Sequence, residues 1–166
     1  MKDKVYIILV NYTRFEDTIE CLESVLKSSY SNFQIFVVDN SPDNLSIKNL
    51  SDWISNNALG EVKTNFKHLV YPLENKPINH IIVDEKEIIN AEKLNENTIT
   101  IIRAKNNGFA AANNIVLHHL LKNEPDSYLV WILNNDTVVE KDTLNNLVDF
   151  YYQNKNKKLF CKNLLR

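Results

Sequence analysis

Residues 4–40 read KVYIILVNYTRFEDTIECLESVLKSSYSNFQIFVVDN, and the change of rhythm along them decides the fold. Lys4 to Val10 is an unbroken apolar run, which suits a strand covered on both faces inside a parallel sheet. From Phe15 the spacing switches: Phe15, Ile19, Leu22 and Leu26 form a helical stripe, and Thr13-Arg14-Phe15-Glu16 has the pattern of a capping box at its start. The expected helix runs about four turns. Gln34 to Val38 is a second short apolar run, closed by the turn formers Asp39-Asn40-Ser41-Pro42-Asp43. Ile47, Leu50 and Ile54 then predict a second helix, so the chain opens as a βαβ unit with a right-handed crossover.

The rhythm breaks between Gly60 and Asn97. An extended pair, Phe66 to Tyr71 and Ile78 to Val83, is expected there, joined by Pro-Leu-Glu-Asn-Lys-Pro and followed by a charged stretch suited to a short helix. This segment is an expected insertion at the sheet's edge or over its top. Alternation resumes with the strand Thr98 to Arg103, the turn Lys105-Asn106-Asn107-Gly108 and a helix from Phe109 to Leu121. Tyr128 to Leu133 (YLVWIL) has the look of another buried strand, and Leu144, Leu147, Val148 and Tyr151 mark a last helix.

The whole is expected to be one α/β domain, since 166 residues with 44% hydrophobic content supply a single core. A net charge of −2 argues against nucleic acid as a partner, although the tail from Lys155 to Arg166 is locally basic. That tail reads as solvated, with contact to an anionic membrane surface left open. No apolar run approaches the ~18 residues of a membrane span, and the first residues lack the pattern of a signal peptide, so a cytoplasmic chain is expected. Cys21 and Cys161 are too far apart in sequence to suggest a metal motif or a disulfide framework.

In an open parallel sheet the ligand crevice lies beyond the carboxyl ends of the strands. Four polar stretches stand there: Asn11-Tyr12-Thr13, Asp39-Asn40-Ser41, Asn106-Asn107-Gly108 and Asn134-Asn135-Asp136. Each alone is ordinary loop chemistry, but their joint placement suits a nucleotide. Tyr12 offers a face for a base, Asp39 an acceptor for base or ribose, and the helix start near Gly108 a site for a diphosphate. Gly108 is one of two glycines in the chain, which points to a constrained backbone or a close ligand approach. Other residues carry less. His118 and His119 are adjacent on a helix, diverge by about 100° and do not readily share a metal. Asp84-Glu85-Lys86-Glu87 reads as a solvated turn, and Trp53 and Trp131 as packing.

The order VNYTRFEDTIECLESVLKSS, IFVVDNSPD, KNNGFAAANN, YLVWILNNDT resembles the family 2 glycosyltransferases, and within them the rhamnosyltransferase-like members. The resemblance covers Val5 to about Asp43 and Thr98 to about Phe150. It implies the GT-A fold, the Rossmann-like fold of nucleotide-diphospho-sugar transferases, with a mainly parallel sheet flanked by helices. By position it places Asn11, Tyr12 and Thr13 over the base, and Asp39 on the pyrimidine and ribose. Asn106, Gly108 and Asn113 fall near the sugar-diphosphate. Asn134-Asn135-Asp136 stands where the family has an Asp-x-Asp metal motif, so Asp136 is the implied ligand of Mg²⁺ or Mn²⁺ and Asn134 replaces the first acid.

A diphosphate-bound Mg²⁺ or Mn²⁺ keeps several waters and needs one or two carboxylates, so Asp136 alone suffices once the nucleotide is bound. The implied activity is transfer of a sugar, rhamnose being one candidate, from a UDP- or dTDP-linked donor to a glycan or lipid-linked acceptor in surface polysaccharide synthesis. The implied location is the cytoplasm, with the inner face of the membrane open. Family members carry their acceptor base and acceptor-binding half well after the metal motif. This chain stops about thirty residues past Asp136, so it is expected to be a C-terminally truncated donor-binding portion. Asp142 and Asp149 are not assigned as the base. KKLFCKNLLR resembles the start of a further strand. The competing reading is a non-catalytic module that binds a nucleotide sugar or a partner, self-association included. A flavin or nicotinamide binder fits the alternation but lacks G-x-G-x-x-G after the first strand.

Overall fold

The apolar run that opens the chain forms β1, Lys4–Asn11, with a strand on either side of it. A computed structural model describes residues 3–56, 60–91, 98–124 and 127–155. The elements that follow are α1 (Phe15–Val25), β2 (Phe33–Asp39), α2 (Leu45–Asn56), α3 (Lys67–Val70), β3 (His80–Asp84) and α4 (Glu85–Asn90). Then come β4 (Ile99–Arg103), α5 (Phe109–Asn123), β5 (Tyr128–Asn134) and α6 (Thr143–Asn154). The strands form one five-stranded sheet in the order β3-β4-β2-β1-β5, and every pairing is parallel.

Both faces of the sheet are covered, which is why its central strands carry no polar alternation. Val5, Ile7 and Leu9 point to the face packed by Leu22 of α1, Leu50 of α2 and Val148 of α6. Tyr6 and Ile8 point to the other, against Ile88 of α4 and Val116 of α5. Leu22 is fully buried in the first cluster, so Leu22→Ala should cost about 2–5 kcal/mol. The chain passes from β1 to β2 across one face and from β4 to β5 across the other. Such opposed crossovers open a crevice at the strands' carboxyl ends.

Four local expectations are corrected. The capping box does not form: Arg14 is the N-cap of α1, without a side-chain cap bond, and Thr13 sits at φ 60° with its N–H donated to Ser41 Oγ at 2.9 Å. α1 spans 11 residues, about three turns. Phe66 to Tyr71 is not a strand, because His80–Asp84 takes the place beside β4. Instead α3 makes one turn that buries Val70, and the Tyr71 hydroxyl both accepts the Val62 N–H and donates to the Val62 carbonyl. The charged stretch after β3 forms the expected short helix, α4, and Asp84-Glu85-Lys86-Glu87 is its largely exposed start, in which Glu87 Oε2 accepts the Asp84 N–H at 2.7 Å.

β5 is the fourth correction. Among the described residues it pairs on one side only, with β1, so Tyr128 to Trp131 are half-buried and Ile132 is 47% exposed. Trp53 is fully buried, His118 is exposed, and His119 packs in the core against Phe36, as packing roles require. No described helix is long and apolar enough to cross a membrane. The basic tail beyond Lys155, with Cys161 and the expected further strand, lies outside the described residues, as does 92–97 of the expected insertion.

Candidate functional site

The sheet's register aligns the polar ends of its strands. Asn11 of β1 stands beside Asp39 of β2, Asp39 beside Arg103 of β4, and Val10 beside Asn134 of β5. Asp39 is 1% exposed, and its Oδ1 accepts from Asn11 Nδ2 at 2.6 Å and from Ser41 Oγ at 2.7 Å. Burial pushes the Asp39 carboxyl above its ordinary range, and the bonds from Ser41 and Asn11 oppose that rise. Asn11 is fully buried, and its Oδ1 takes the Thr18 hydroxyl at 2.9 Å. Thr18 Oγ1 in turn accepts from Asn135 Nδ2 at 3.0 Å. One buried chain of hydrogen bonds therefore ties the loops after β1, β2 and β5 to α1.

Above this chain lies a cleft of about 300 Å³, lined by Val10, Tyr12, Arg14, Asn40, Asn106, Phe109 and Asn135. Tyr12 and Phe109 are each about half exposed, at 52% and 53%. Asn40 is 3% exposed, and its Oδ1 is buried with no hydrogen-bond partner. A buried acceptor left unpaired costs about 1–3 kcal/mol. At the edge of a cleft, such an atom is a candidate ligand contact. The expected residues thus divide. Tyr12, Asn106 and Asn135 line the cleft, while Asn11 and Asp39 lie in the network beneath it.

Asn106 Oδ1 accepts the Gly108 N–H at 3.2 Å, an Asx turn that leads into α5. Gly108 has φ 92° and ψ 167°, a conformation essentially restricted to glycine, whereas a Cβ there would meet nothing within 4 Å. The backbone, not a crowded approach, demands this glycine. Asn113, one turn into α5, donates to the Phe109 carbonyl at 2.8 Å, and its own Oδ1 is buried without a partner.

After β5, Asn134 and Asp136 are exposed. The Asp136 charge reaches two neighbours. Cys21, fully buried with Sγ 3.8 Å from the Asn134 carbonyl, has its thiol pushed up to about 12 by burial first and Asp136 second. That thiol is inert at neutral pH. Arg14 pairs with Asp17 at 2.5 Å, and its pKa is raised by that bond first, with Asp136 adding to the rise. Among the described residues no three His, Cys, Asp or Glu side chains form a set able to hold a metal. The donor set here is one carboxylate and neighbouring amides, which suits a hard cation only when phosphate oxygens arrive with it.

Four lining residues, Val10, Arg14, Asn40 and Phe109, are not among the contacts expected from the sequence, although Asn40 stands in one of its four polar stretches. Val10 ends the apolar run, Arg14 and Phe109 read as helix starts, and Asn40 belongs to a turn cluster in which Asp39 carries the charge. The usable signal was strand alternation: Asp39 lies in register with Asn11, so the residue after it faces elsewhere.

No protein-family model matches the sequence, and no curated protein does at a significant level. Among solved structures, one of TarS from S. aureus, residues 1–349, matches with a TM-score of 0.53 at 14% identity, over 92% of this chain and 33% of that one. A second structure of S. aureus TarS matches at 13% identity with a TM-score of 0.48, over 92% of this chain and 20% of that one. This chain spans about a third of the length of the first. The chain has the fold it shares with TarS, the α/β fold of GT-A-type glycosyltransferases, with a five-stranded parallel sheet flanked by helices.

Proposed function

We propose that the cleft binds the nucleoside diphosphate end of an activated sugar, and that the chain is the donor-binding part of a family 2 glycosyltransferase. The observation that carries this is the cleft's composition: two half-exposed rings, Tyr12 and Phe109, beside the unpartnered, buried Oδ1 of Asn40, at the carboxyl end of a parallel sheet. An aromatic face holds a base with about 1–3 kcal/mol. An unpaired amide oxygen beside it favours a base with an imide N–H, as uracil and thymine have. Asp39, held by Asn11 and Ser41, fixes the loop that presents Asn40. The first turn of α5 offers free N–H groups and a positive dipole end to the diphosphate.

Asp136, with Asn134 adding an amide oxygen, would hold a Mg²⁺ or Mn²⁺ ion on the diphosphate, where it stabilises the departing nucleoside diphosphate. The resemblance extends the proposal to a UDP- or dTDP-sugar, rhamnose included, and to a glycan or lipid-linked acceptor in surface polysaccharide synthesis at the inner face of the membrane. One observation favours a second reading, a module that binds the donor without turnover. Among the described residues no carboxylate or imidazole lines the cleft to take the acceptor's proton.

The experiment is release of nucleoside diphosphate from a panel of UDP- and dTDP-sugars with Mg²⁺ or Mn²⁺, run alongside calorimetry with UDP and dTDP. Binding with release supports the transferase, binding without release supports the module, and no binding of either nucleotide overturns both.

A further inference from the structure

The buried hydrogen bonds beneath the cleft have a direction, and Asp39 sets it. An ionised carboxylate accepts and never donates, so the group that Asn11 turns to Asp39 Oδ1, 2.6 Å away, is its NH₂. Asn11 Oδ1 therefore faces the other way, toward Thr18 Oγ1 at 2.9 Å, and takes the hydroxyl proton. The other acceptor in reach of that proton, the Arg14 carbonyl at 3.3 Å, already accepts the Thr18 N–H at 3.2 Å. With its single proton on Asn11, Thr18 has only lone pairs to offer Asn135, 3.0 Å away. Asn135 must then point its NH₂ inward.

A planar amide with its nitrogen toward Thr18 carries its oxygen on the opposite branch, and Asn135 lines the cleft. We propose that Thr18 is a positioning residue: it completes a directed relay from Asp39 that holds Asn135 with its carbonyl oxygen toward the cleft. Asn135 Oδ1 then joins Asn40 Oδ1 as an acceptor, and these two oxygens favour ligand groups that donate hydrogen bonds. The relay also links the loop after β2 to the loop after β5 through Asp39, Asn11 and Thr18, which are 0–1% exposed. Only the identity of the ligand rests on the nucleotide-sugar reading.

The test is an NMR measurement of the Asn135 side-chain amide in the full chain without ligand. One of its two NH₂ protons should be protected from solvent exchange and shifted downfield. Thr18→Val, which keeps shape and removes the hydroxyl, should erase that protection, and Thr18→Ser should restore it. UDP binding should weaken about tenfold in Thr18→Val and recover in Thr18→Ser. Two results would overturn the relay: both Asn135 protons exchanging as freely as those of an exposed asparagine, or Asn135 signals unchanged in Thr18→Val. The exchange measurement on the unaltered protein decides the matter even where Thr18→Val does not fold. Absence of UDP binding to the unaltered protein would sink the nucleotide reading while the amide protons still decide the relay.

Discussion

Lys76 Nζ lies 2.9 Å from Glu23 Oε1, with the two side chains only 4% and 0% exposed. Glu23 is a carboxylate at the heart of α1's packing face, and it is saturated. Oε1 also accepts the Trp53 indole N–H at 2.9 Å, and Oε2 accepts the Glu74 backbone N–H at 2.8 Å. The Lys76 ammonium sits 4.4 Å above the Trp53 ring as well. This cluster fastens the Pro-Leu-Glu-Asn-Lys-Pro loop to α1 and α2, and so holds the edge segment ahead of β3.

Glu23→Ala should therefore cost about 3–5 kcal/mol, because it strands the Lys76 charge in a buried site. The double variant Glu23→Leu with Lys76→Met should lose less than the two single losses added together, since no buried charge is left unpaired. Urea denaturation of Glu23→Ala, Glu23→Leu, Lys76→Met and the double variant checks both statements.

The pH dependence of stability should carry two opposite terms. Burial first, against the Ile88 carbonyl bond, lowers the His119 pKa below 6.5. Its ring faces Ile88 O, Asn123 and Phe36, with Glu124 and Lys122 acting by charge. Below pH 6.5 the unfolded chain binds this proton before the folded one, so stability falls as pH drops from 6.5 to the folded pKa. His119→Gln should flatten that fall when denaturation midpoints are compared across this range.

Asp39 acts with the reverse sign. Its carboxyl is raised above 3.8 by burial, so the charged form burdens the fold at neutral pH. As pH falls through the folded pKa toward 3.8, the folded state takes up the proton first and the burden is lifted. The stability of the unaltered protein minus that of Asp39→Asn should rise over this window. A difference independent of pH would contradict the assignment.

Much of the layout was legible because it rests on periodicity. Val5 to Leu9 alternate between two apolar clusters, so the run shows no polar face, and the sequence pattern alone implies a strand covered on both sides. YLVWIL carries the same pattern yet among the described residues pairs on one side only, because burial of β5 depends on what stands beside it and not on its own residues. Thr13-Arg14-Phe15-Glu16 failed as a cap for a tertiary reason: Ser41, 28 positions away, takes the Thr13 N–H. The site divided along the same line. Tyr12, Asn106 and Asn135 could be placed by their position after strands, whereas the burial of Asp39 under Asn11 and the unpaired oxygen of Asn40 are products of register between strands.

Asp136 is exposed and outside the buried network, so Asp136→Asn should leave stability within about 0.5 kcal/mol. The same change should remove the enhancement of UDP binding by Mn²⁺. Calorimetry with and without Mn²⁺ tests this, and Mn²⁺ alone should bind the unaltered protein weakly. Tight Mn²⁺ binding without nucleotide would contradict a one-carboxylate site.

An NMR titration of the unaltered protein with UDP and dTDP in the presence of Mg²⁺ shows whether the nucleotide sits in this cleft. Saturable shifts are expected at Tyr12, Asn40, Asn106 and Phe109, and their loss in Asn40→Ala. Titrations that leave those four residues unmoved would contradict the nucleotide's place in the cleft.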